Sequence, residues 1–270
     1  MPGLADTHCH LYFELFREDL QDVLERSRAC GITHIMVPGI DLETSKQAVA
    51  LAELHPGLYA AVGFHPNDIV SGRWSPNTLK ELESLARHPK VRAIGEIGLD
   101  YYRDRTPANL QKVVFQDQLG LAAQLNLPVI IHNRQALHDL WPILSDWQTM
   151  LSNSDSPLSN RPGVLHSYDG DLETALLAIR HHFLIGVSGP VTFKNATERQ
   201  LLFTTLPLES LVLETDAPFL TPHPFRGKRN EPARVLNIAQ KLAELKLLPL
   251  EEIALQTSRN AETLFRWDTP

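Results

Sequence analysis

The 270-residue chain is 43% hydrophobic and 21% charged, which is ordinary for a globular protein with a sizeable core. Its length suits one large α/β barrel or two small domains, and no apolar run is long enough for a transmembrane helix. The formal net charge of −7 excludes the overall basic character of a protein that coats nucleic acid. A polyanionic substrate would therefore have to be bound locally, by a metal and a few cations.

Short apolar runs rich in β-branched residues alternate with helical patterns along the whole chain. Such runs are typical of buried parallel strands. The predicted strands are Leu4–His8, Ile32–Val37, Leu58–Phe64, Val91–Ile97, Pro128–Ile131, Gly163–Leu165, Phe183–Val187 and Leu211–Thr215. The predicted helices are Asp19–Ala29, Asp41–Leu54, Pro76–Arg87, Thr106–Leu125, Gln135–Trp147, Asp171–His182, Asn195–Thr205, Glu231–Leu245 and Leu250–Phe265.

Local signals mark several boundaries of these elements. Asp41 and Ser75 precede helical patterns and are residue types that cap helices. Gly31 follows the first helix and is expected to end it. The segment Ser152–Pro162 is rich in Ser, Asn, Asp and Pro, which predicts an exposed loop.

Eight strands that alternate with helices predict an α/β fold, a (β/α)8 TIM barrel. No linker or internal repeat divides the chain, so we expect a single domain over residues 1–270. The alternative is an open doubly wound sheet. No Gly-rich phosphate loop follows the first strand, which speaks against that alternative.

Two cysteines and the N-terminal composition bear on the compartment. Cys9 and Cys30 cannot form a disulfide framework, which favours a reducing environment. We interpret Cys9 as a small buried hydrophobic residue rather than a catalytic thiol. The first residues lack a basic segment followed by an apolar one, so no signal peptide is predicted. We therefore expect a cytoplasmic monomer with no membrane partner.

Residue types that bind metals recur at the ends of the predicted strands. His8 and His10 lie two residues apart, and residues two apart in a strand face the same side. On its own this pair is a weak signal and is more often two unrelated surface histidines. The other candidates follow strands four, five, six and eight: Glu96, His132, His166 and Asp216. Because the carboxyl ends of barrel strands form the active site, the six together predict a metal centre.

Four histidines and two carboxylates are more ligands than one tetrahedral site takes. They suit two divalent ions a few ångströms apart with a bridging carboxylate. We choose Glu96 as the bridge, because Gly95 and Gly98 beside it let the backbone approach the centre closely. The ligand mixture fits Zn²⁺ or Mn²⁺, and also Mg²⁺ with more water.

Five motifs of this chain resemble the signatures of the TatD family of metal-dependent hydrolases and deoxyribonucleases. They lie at His8–His10, Gly95–Tyr101, Val191–Asn195, Glu214–Pro218 and Arg226–Pro232. The resemblance covers nearly the whole chain and implies a metal-dependent hydrolase on an amidohydrolase-like TIM barrel. It also implies that His8, His10, Glu96 and Asp216 hold one ion, and that Glu96, His132 and His166 hold the other.

The chain departs from the family pattern beside some of these motifs. Asn67 stands where the family often has a second histidine, and Gln135 stands where it often has an aspartate. The segment Tyr168–Gly170 replaces a common Phe-Ser-Gly. None of these changes removes a predicted ligand, but all of them border the expected substrate cleft.

The predicted chemistry is metal-assisted hydrolysis in which Asp216 also acts as the general base. Divalent ions acidify bound water and neutralise phosphate oxygens. The leading hypothesis, implied by the resemblance, is a nuclease that trims single-stranded DNA or RNA from the 3′ end. The alternatives are an ester or amide hydrolase, such as a D-aminoacyl-tRNA deacylase, and a non-catalytic binding protein. A missing ligand would favour the last of these, and all six ligands are present.

Several further residues have two interpretations. His65 follows the third strand and could contact the phosphate or leaving group, or be a structural histidine before a proline turn. Arg134 could contact a substrate anion or pair with a carboxylate at the rim. Lys194 could contact the same anion or be a solvated loop residue. The aromatic side chains that could stack on bases are Tyr101, Tyr102 and Phe225.

The densest basic cluster comprises Arg226, Lys228 and Arg229. Arg226 in this cluster is a candidate to bind the backbone of a nucleic acid. The cluster could equally pair with Glu214 and Glu231 and so hold its own loop in place.

Overall fold

The structure is a computed structural model that describes residues 3–69, 74–103 and 105–267. The described residues form one parallel sheet in which each strand pairs with the next along the chain. Its strands are β1 (Leu4–Asp6), β2 (Ile32–Pro38), β3 (Leu58–Val62), β4 (Val91–Asp100), β5 (Val129–Arg134), β6 (Gly163–Leu165), β7 (Leu184–Val187) and β8 (Leu211–Leu213).

Helices connect these strands and surround them. They are α1 (Leu20–Ala29), α2 (Leu42–Leu54), α3 (Pro76–Ala86), α4 (Ala108–Leu125), α5 (Leu137–Asn153), α6 (Leu172–Arg180), α7 (Thr197–Thr205), α8 (Val235–Lys246) and α9 (Leu250–Phe265). The predicted caps are confirmed, since Asp41 accepts from the Thr44 amide and Ser75 from the Thr78 amide. No helix in the described part of the chain is long and apolar enough to cross a membrane.

Hydrogen bonds between the first and last strands close the sheet. The amide of Thr7 donates to the Leu213 carbonyl at 3.0 Å, and the amide of Asp216 donates to the His8 carbonyl at 2.8 Å. Cys9 forms a parallel bridge with Ala217 just beyond both strands. The predicted (β/α)8 barrel is therefore confirmed.

Two layers of apolar side chains pack on the two faces of the barrel wall. One layer consists of strand residues such as Met36, Ile130 and Val212, which pack against Phe265 at the end of α9 and Trp267 just after it. The neighbouring strand residues point the opposite way and pack against the helices in the larger cluster. The carboxyl ends of the strands are left for polar side chains.

Several strands end at other residues than predicted, because polar residues continue the sheet pairing in some strands and lie outside it in others. β4 continues to Asp100 and β5 to Arg134, and these two residues pair with each other. β1 instead ends at Asp6, so His8 and His10 follow the strand rather than lie in it. The Asp6 carboxylate accepts hydrogen bonds from the Thr215 amide and hydroxyl, which joins this segment to the chain after β8.

The prediction of an exposed loop over residues 152–162 is wrong for its second half. Leu158 is fully buried in a short 3-10 helix, and Arg161 is only 8% exposed. The Arg161 guanidinium donates to the carbonyls of Leu264 and Asn126 at 3.0 and 2.9 Å. This arginine thus satisfies carbonyls from two other parts of the chain, a role that local composition does not reveal.

Candidate metal centre

The six predicted ligands lie together at the carboxyl ends of the strands. The Nε2 atoms of His8 and His10 are 3.1 Å apart. Glu96 Oε2 lies 3.3 Å from His8 Nε2 and 3.6 Å from His10 Nε2. Asp216 Oδ1 lies 3.9 and 3.6 Å from the same two nitrogens. Two imidazoles and two carboxylates therefore converge on one point.

The second oxygen of Glu96 faces a different set of histidines. Glu96 Oε1 lies 3.0 Å from His132 Nδ1 and 3.9 Å from His166 Nε2. The rings of His8 and His166 stack with centroids 3.5 Å apart, so the two sets are adjacent. One carboxylate thus lies between two groups of ligands, which is the arrangement expected of a bridging residue.

Backbone conformation brings these side chains close together. Gly98 has a φ of 143° and pairs with His132 across β4 and β5. A Cβ on Gly98 would lie 1.9 Å from the His132 carbonyl oxygen, so no larger residue fits there. Asp216 has a φ of 54°, in the left-handed region that aspartate tolerates better than most residues.

The electrostatics of the cluster depend on histidines. Among the described residues, all the ion pairs of Glu96 and Asp216 are with histidines. Burial alone would raise the pKa of Glu96, but its interactions with His8 and His65 and the His132 hydrogen bond hold it well below its usual range. Burial would lower the pKa of His132, yet hydrogen bonds to Asp100 and Glu96 raise it to about 9.

Two carboxylates that received no site role from the sequence lie behind the predicted ligands. Asp100 Oδ2 is 3.2 Å from His132 Nε2, and Glu214 Oε1 is 3.2 Å from His166 Nδ1. Both carboxylates are buried, with 1% and 0% of their surface exposed. Their positions inside the Gly95–Tyr101 and Glu214–Pro218 motifs were the available signal.

The donor set fits a divalent cation. Carboxylate oxygens face both ring nitrogens of His132, at 3.0 Å for Nδ1 and 3.2 Å for Nε2. Without an ion the ring can donate to both carboxylates only as the doubly protonated imidazolium, which agrees with its raised pKa. A divalent ion bound by Nδ1 and Glu96 would supply the positive charge in place of one of these protons. Imidazole nitrogens and carboxylate oxygens are ligands of Zn²⁺ and Mn²⁺.

His65 lies at the edge of the same cluster. Its ring is 4.4 Å from that of His132, and its Nε2 is 3.9 Å from Glu96 Oε1. The backbone nitrogen of Asn67 lies 3.1 Å from His65 Nδ1, and Asp68 Oδ2 lies 3.3 Å from the same atom. The contact of His65 with a phosphate or leaving group stays a prediction.

Two of the three predicted substrate cations lie over aromatic rings. The Arg134 guanidinium lies 3.8 Å from the centroid of the Tyr102 ring. The Arg226 guanidinium lies 4.1 Å from the centroid of Phe193, and Lys194 is exposed next to Phe193 in the chain. The rim therefore carries two pairs in which a cation covers an aromatic face.

The basic cluster after β8 has only one of its two expected partners. Arg229 donates to both oxygens of Asp19 at 2.7 Å and lies 3.9 Å from Glu231. Arg26 from α1 makes the closer contact to Glu231, at 2.8 Å. The expected pairing with Glu214 is wrong, because that carboxylate is buried against His166. These ion pairs attach the loop to α1.

The aromatic residues nearest the centre are not the three that the sequence suggested. The Tyr101 hydroxyl donates to Asp139, and Arg234 covers the Phe225 ring. Three other rings lie beside His10, at centroid distances of 5.3 Å for Phe13, 5.7 Å for Tyr12 and 6.4 Å for Phe219. Phe219 is 52% exposed.

The fold and the cluster match a known family. The family model described as TatD related DNase matches residues 5–266. The chain belongs to the TatD family. It is therefore a metal-dependent hydrolase acting on ester bonds, as the sequence motifs implied.

Relatives in the TatD family align over almost their full length. An uncharacterized metal-dependent hydrolase of Bacillus subtilis, YabD, is 42% identical over 263 residues, covering 97% of this chain and 99% of the relative. The 3′-5′ ssDNA/RNA exonuclease TatD of Salmonella typhimurium is 33% identical over 268 residues, covering 97% of this chain and 98% of the relative. The crystal structure of the TatD homolog YjjV from Escherichia coli superposes with a TM-score of 0.86 at 35% identity, covering 97% and 98% of the two chains.

Proposed function

We propose that this TatD-family hydrolase is a nuclease that removes nucleotides from the 3′ end of single-stranded DNA or RNA with two divalent ions. The proposal of two ions rests on the position of the Glu96 carboxylate. Its oxygens face His8 and His10 on one side and His132 on the other. The nucleic acid substrate is supported by relatives named as 3′-5′ ssDNA/RNA exonucleases.

The proposed ligand sets share one residue. His8, His10, Glu96 and Asp216 would hold one ion, and Glu96, His132 and His166 would hold the other. Zn²⁺ and Mn²⁺ suit this donor set, and Mg²⁺ would keep more water. When bound, such ions lower the pKa of water and neutralise non-bridging phosphate oxygens.

Asp216 and His65 supply the proposed proton transfers. The Asp216 side chain is 15% exposed, so its carboxylate can reach a water at the mouth of the barrel and take its proton as general base. His65 Nδ1 lies 3.1 Å from the backbone nitrogen of Asn67 and 3.3 Å from Asp68 Oδ2, and these contacts turn Nε2 toward the cluster. Nε2 is the nitrogen that would exchange a proton with a phosphate oxygen or with the leaving group.

The substrate would be held by rings and by a few cations. The exposed Phe219 ring lies beside the ligand His10 and offers a flat apolar face on which the terminal base can stack. Arg134, Lys194 and Arg226 would contact phosphates farther along the strand. We therefore expect base stacking and local charge, rather than a broad basic groove, to provide the affinity.

Phe219→Ala is expected to raise KM for single-stranded DNA about fivefold or more and to leave kcat within about twofold. Stacking of one base on an aromatic ring contributes roughly 1–3 kcal/mol. Steady-state kinetics on a short oligonucleotide measure both constants. A second oligonucleotide, whose 3′-terminal nucleotide lacks its base, should show no difference between the wild type and the variant.

The matched control for this substitution is Leu54→Ala. Leu54 is 73% exposed and is the last residue of α2. The chain then enters the amino end of β3, so Leu54 lies at the end of the barrel away from the candidate metal centre. The control should leave KM unchanged. An equal rise in KM on the oligonucleotide without the terminal base would show that Phe219 does not stack on it.

The salt dependence of substrate binding should be shallow. Three phosphate contacts to a single strand predict a slope of about −2 for the logarithm of affinity against the logarithm of salt concentration. Fluorescence anisotropy of the calcium-loaded protein with a labelled oligonucleotide measures this slope. A slope steeper than about −4 would indicate a broad basic groove and contradict local binding.

The substrate class is tested by one side-by-side assay of the metal-reconstituted protein. It offers 3′-labelled and 5′-labelled single-stranded DNA and RNA, a D-aminoacyl-tRNA and a simple carboxylic ester. Stepwise loss of mononucleotides from the 3′ end is the expected result. Release of amino acid with intact tRNA would replace the nuclease proposal by the deacylase alternative, and shortening from the 5′ end would overturn the direction of attack.

A further inference from the structure

Asp100 uses its two carboxylate oxygens for two separate tasks. Oδ1 accepts the backbone amides of Tyr102 and Arg103 at 2.9 and 3.1 Å. Oδ2 accepts the side-chain amide of Asn67 at 2.7 Å and lies 3.2 Å from His132 Nε2. The carboxylate is 1% exposed, so water does not compete for these contacts. The two backbone donors fix which oxygen faces His132.

An ionised carboxylate only accepts hydrogen bonds, so the nitrogen facing Asp100 Oδ2 has to carry a proton. Nδ1 lies 3.0 Å from Glu96 Oε1, on the side of the proposed metal pair. A divalent ion between these two atoms would bind the lone pair of Nδ1, and Asp100 would then hold the one remaining ring proton on Nε2. Carboxylates behind metal-binding histidines commonly set the tautomer and the orientation of the ring in this way.

We propose that Asp100 is a positioning residue that keeps the proton of His132 on Nε2 and so leaves Nδ1 free to bind the second metal ion. This inference rests on the proposed metal pair. It assigns Asp100 no contact with substrate and no part in the proton transfers.

A competing role for the same residues is a further metal site. His65, Asp100 and His132 offer three ligand atoms within 4.8 Å of one another. In that arrangement His132 Nε2 would bind an ion instead of carrying a proton. The short contact between Asp100 Oδ2 and the Asn67 amide favours the hydrogen-bonded arrangement, because that amide donor faces the oxygen that would have to bind the ion. The state of His132 Nε2 distinguishes the two roles.

The first test uses the wild-type protein loaded with zinc and labelled with ¹⁵N in its histidines. Two-bond ¹H–¹⁵N correlation spectra report the proton on each ring nitrogen, and the signals missing in His132→Gln assign His132. The expected spectrum has a protonated Nε2 and a metal-bound Nδ1 in His132. A protonated Nδ1, or a metal-bound Nε2, overturns the proposal.

The second test is Asp100→Asn. The backbone amides of Tyr102 and Arg103 hold the amide oxygen in the place of Oδ1, so the new NH₂ group faces His132 Nε2. Asn67 can rotate its own amide to accept from this group, because its Oδ1 has no hydrogen-bond partner among the residues that the structure describes. His132 can respond only by moving its proton to Nδ1. We expect zinc affinity at one of two ions to fall about 10- to 100-fold.

Competition of the metal-free protein with a chromophoric zinc chelator measures the two affinities. The matched control is Asp139→Asn, the same change at a carboxylate that binds Tyr101 and Lys112. It should leave both zinc affinities unchanged. Unchanged zinc affinity in Asp100→Asn, or an equal loss at both ions, overturns the role of Asp100. A wild type that binds two zinc ions but degrades no nucleic acid removes only the nuclease proposal and leaves this one standing.

Discussion

Glu96→Gln is expected to lower the rate of hydrolysis by more than about 10³-fold. Removal of one group that stabilises a transition state commonly costs about 10²–10³-fold, and Glu96 faces both proposed ions. The amide keeps the size of the side chain but presents an uncharged oxygen and an N–H group to the histidines. Zinc titration should show that the variant binds fewer than two ions. Initial rates with saturating metal measure the loss of activity.

The control for this variant is Glu198→Gln, on the exposed face of α7. It should keep full activity and full zinc stoichiometry. Circular dichroism should show the same helix content for both variants, because Glu96 lies at the mouth of the barrel, outside the apolar clusters. Activity within tenfold of the wild type in Glu96→Gln would refute the bridged-metal assignment.

Removal of metal with a chelator is expected to abolish hydrolysis and to lower the melting temperature. An ion at 100 times its Kd stabilises the folded state by about 2.7 kcal/mol. For a protein of this size, each kcal/mol corresponds to roughly 2–4 °C. We therefore expect a decrease of about 5–10 °C or more by differential scanning calorimetry. The physical reason is that Glu96 and Asp216 both lie 3.6 Å from His10 Nε2, and without a divalent ion their negative charges are offset by the histidines alone.

Addition of Zn²⁺ or Mn²⁺ after removal of the chelator should restore both activity and melting temperature. Dialysis without chelator serves as the control and should change neither. Full hydrolysis in the presence of excess chelator, with no metal left by atomic absorption, would contradict the assignment of the cluster as a metal centre.

The features of this protein that could be predicted from the sequence are those that depend on residues close together in the chain, such as apolar runs and helix caps. Buried parallel strands need continuous apolar runs, so all eight strands were visible in the order in which they pair. Helix caps depend on residues three apart, so Asp41 and Ser75 were assigned correctly. The six predicted ligands come together because the strands are parallel, and their carboxyl ends therefore meet at one end of the barrel.

The strand ends were harder to predict, because polar residues there pair with partners that are distant in the chain. The sequence places Asp100 after the end of the fourth predicted strand, yet in the structure it continues β4 and pairs with Arg134 of β5. Its contact with His132 spans 32 positions, and that of Glu214 with His166 spans 48. Spacing along the chain carries no information about which carboxylate lies behind which histidine.

By itself, the sequence determined the barrel, the order of its strands and the set of residues from which a metal centre can be built. Only the tertiary structure decided how these residues are supported, with Asp100 behind His132, Glu214 behind His166 and Phe219 beside His10. The physical reason is the separation along the chain over which each interaction acts. Hydrophobic periodicity and helix capping involve residues that are a few positions apart. Hydrogen bonds to buried carboxylates and contacts between rings depend on which loops the closed barrel brings together.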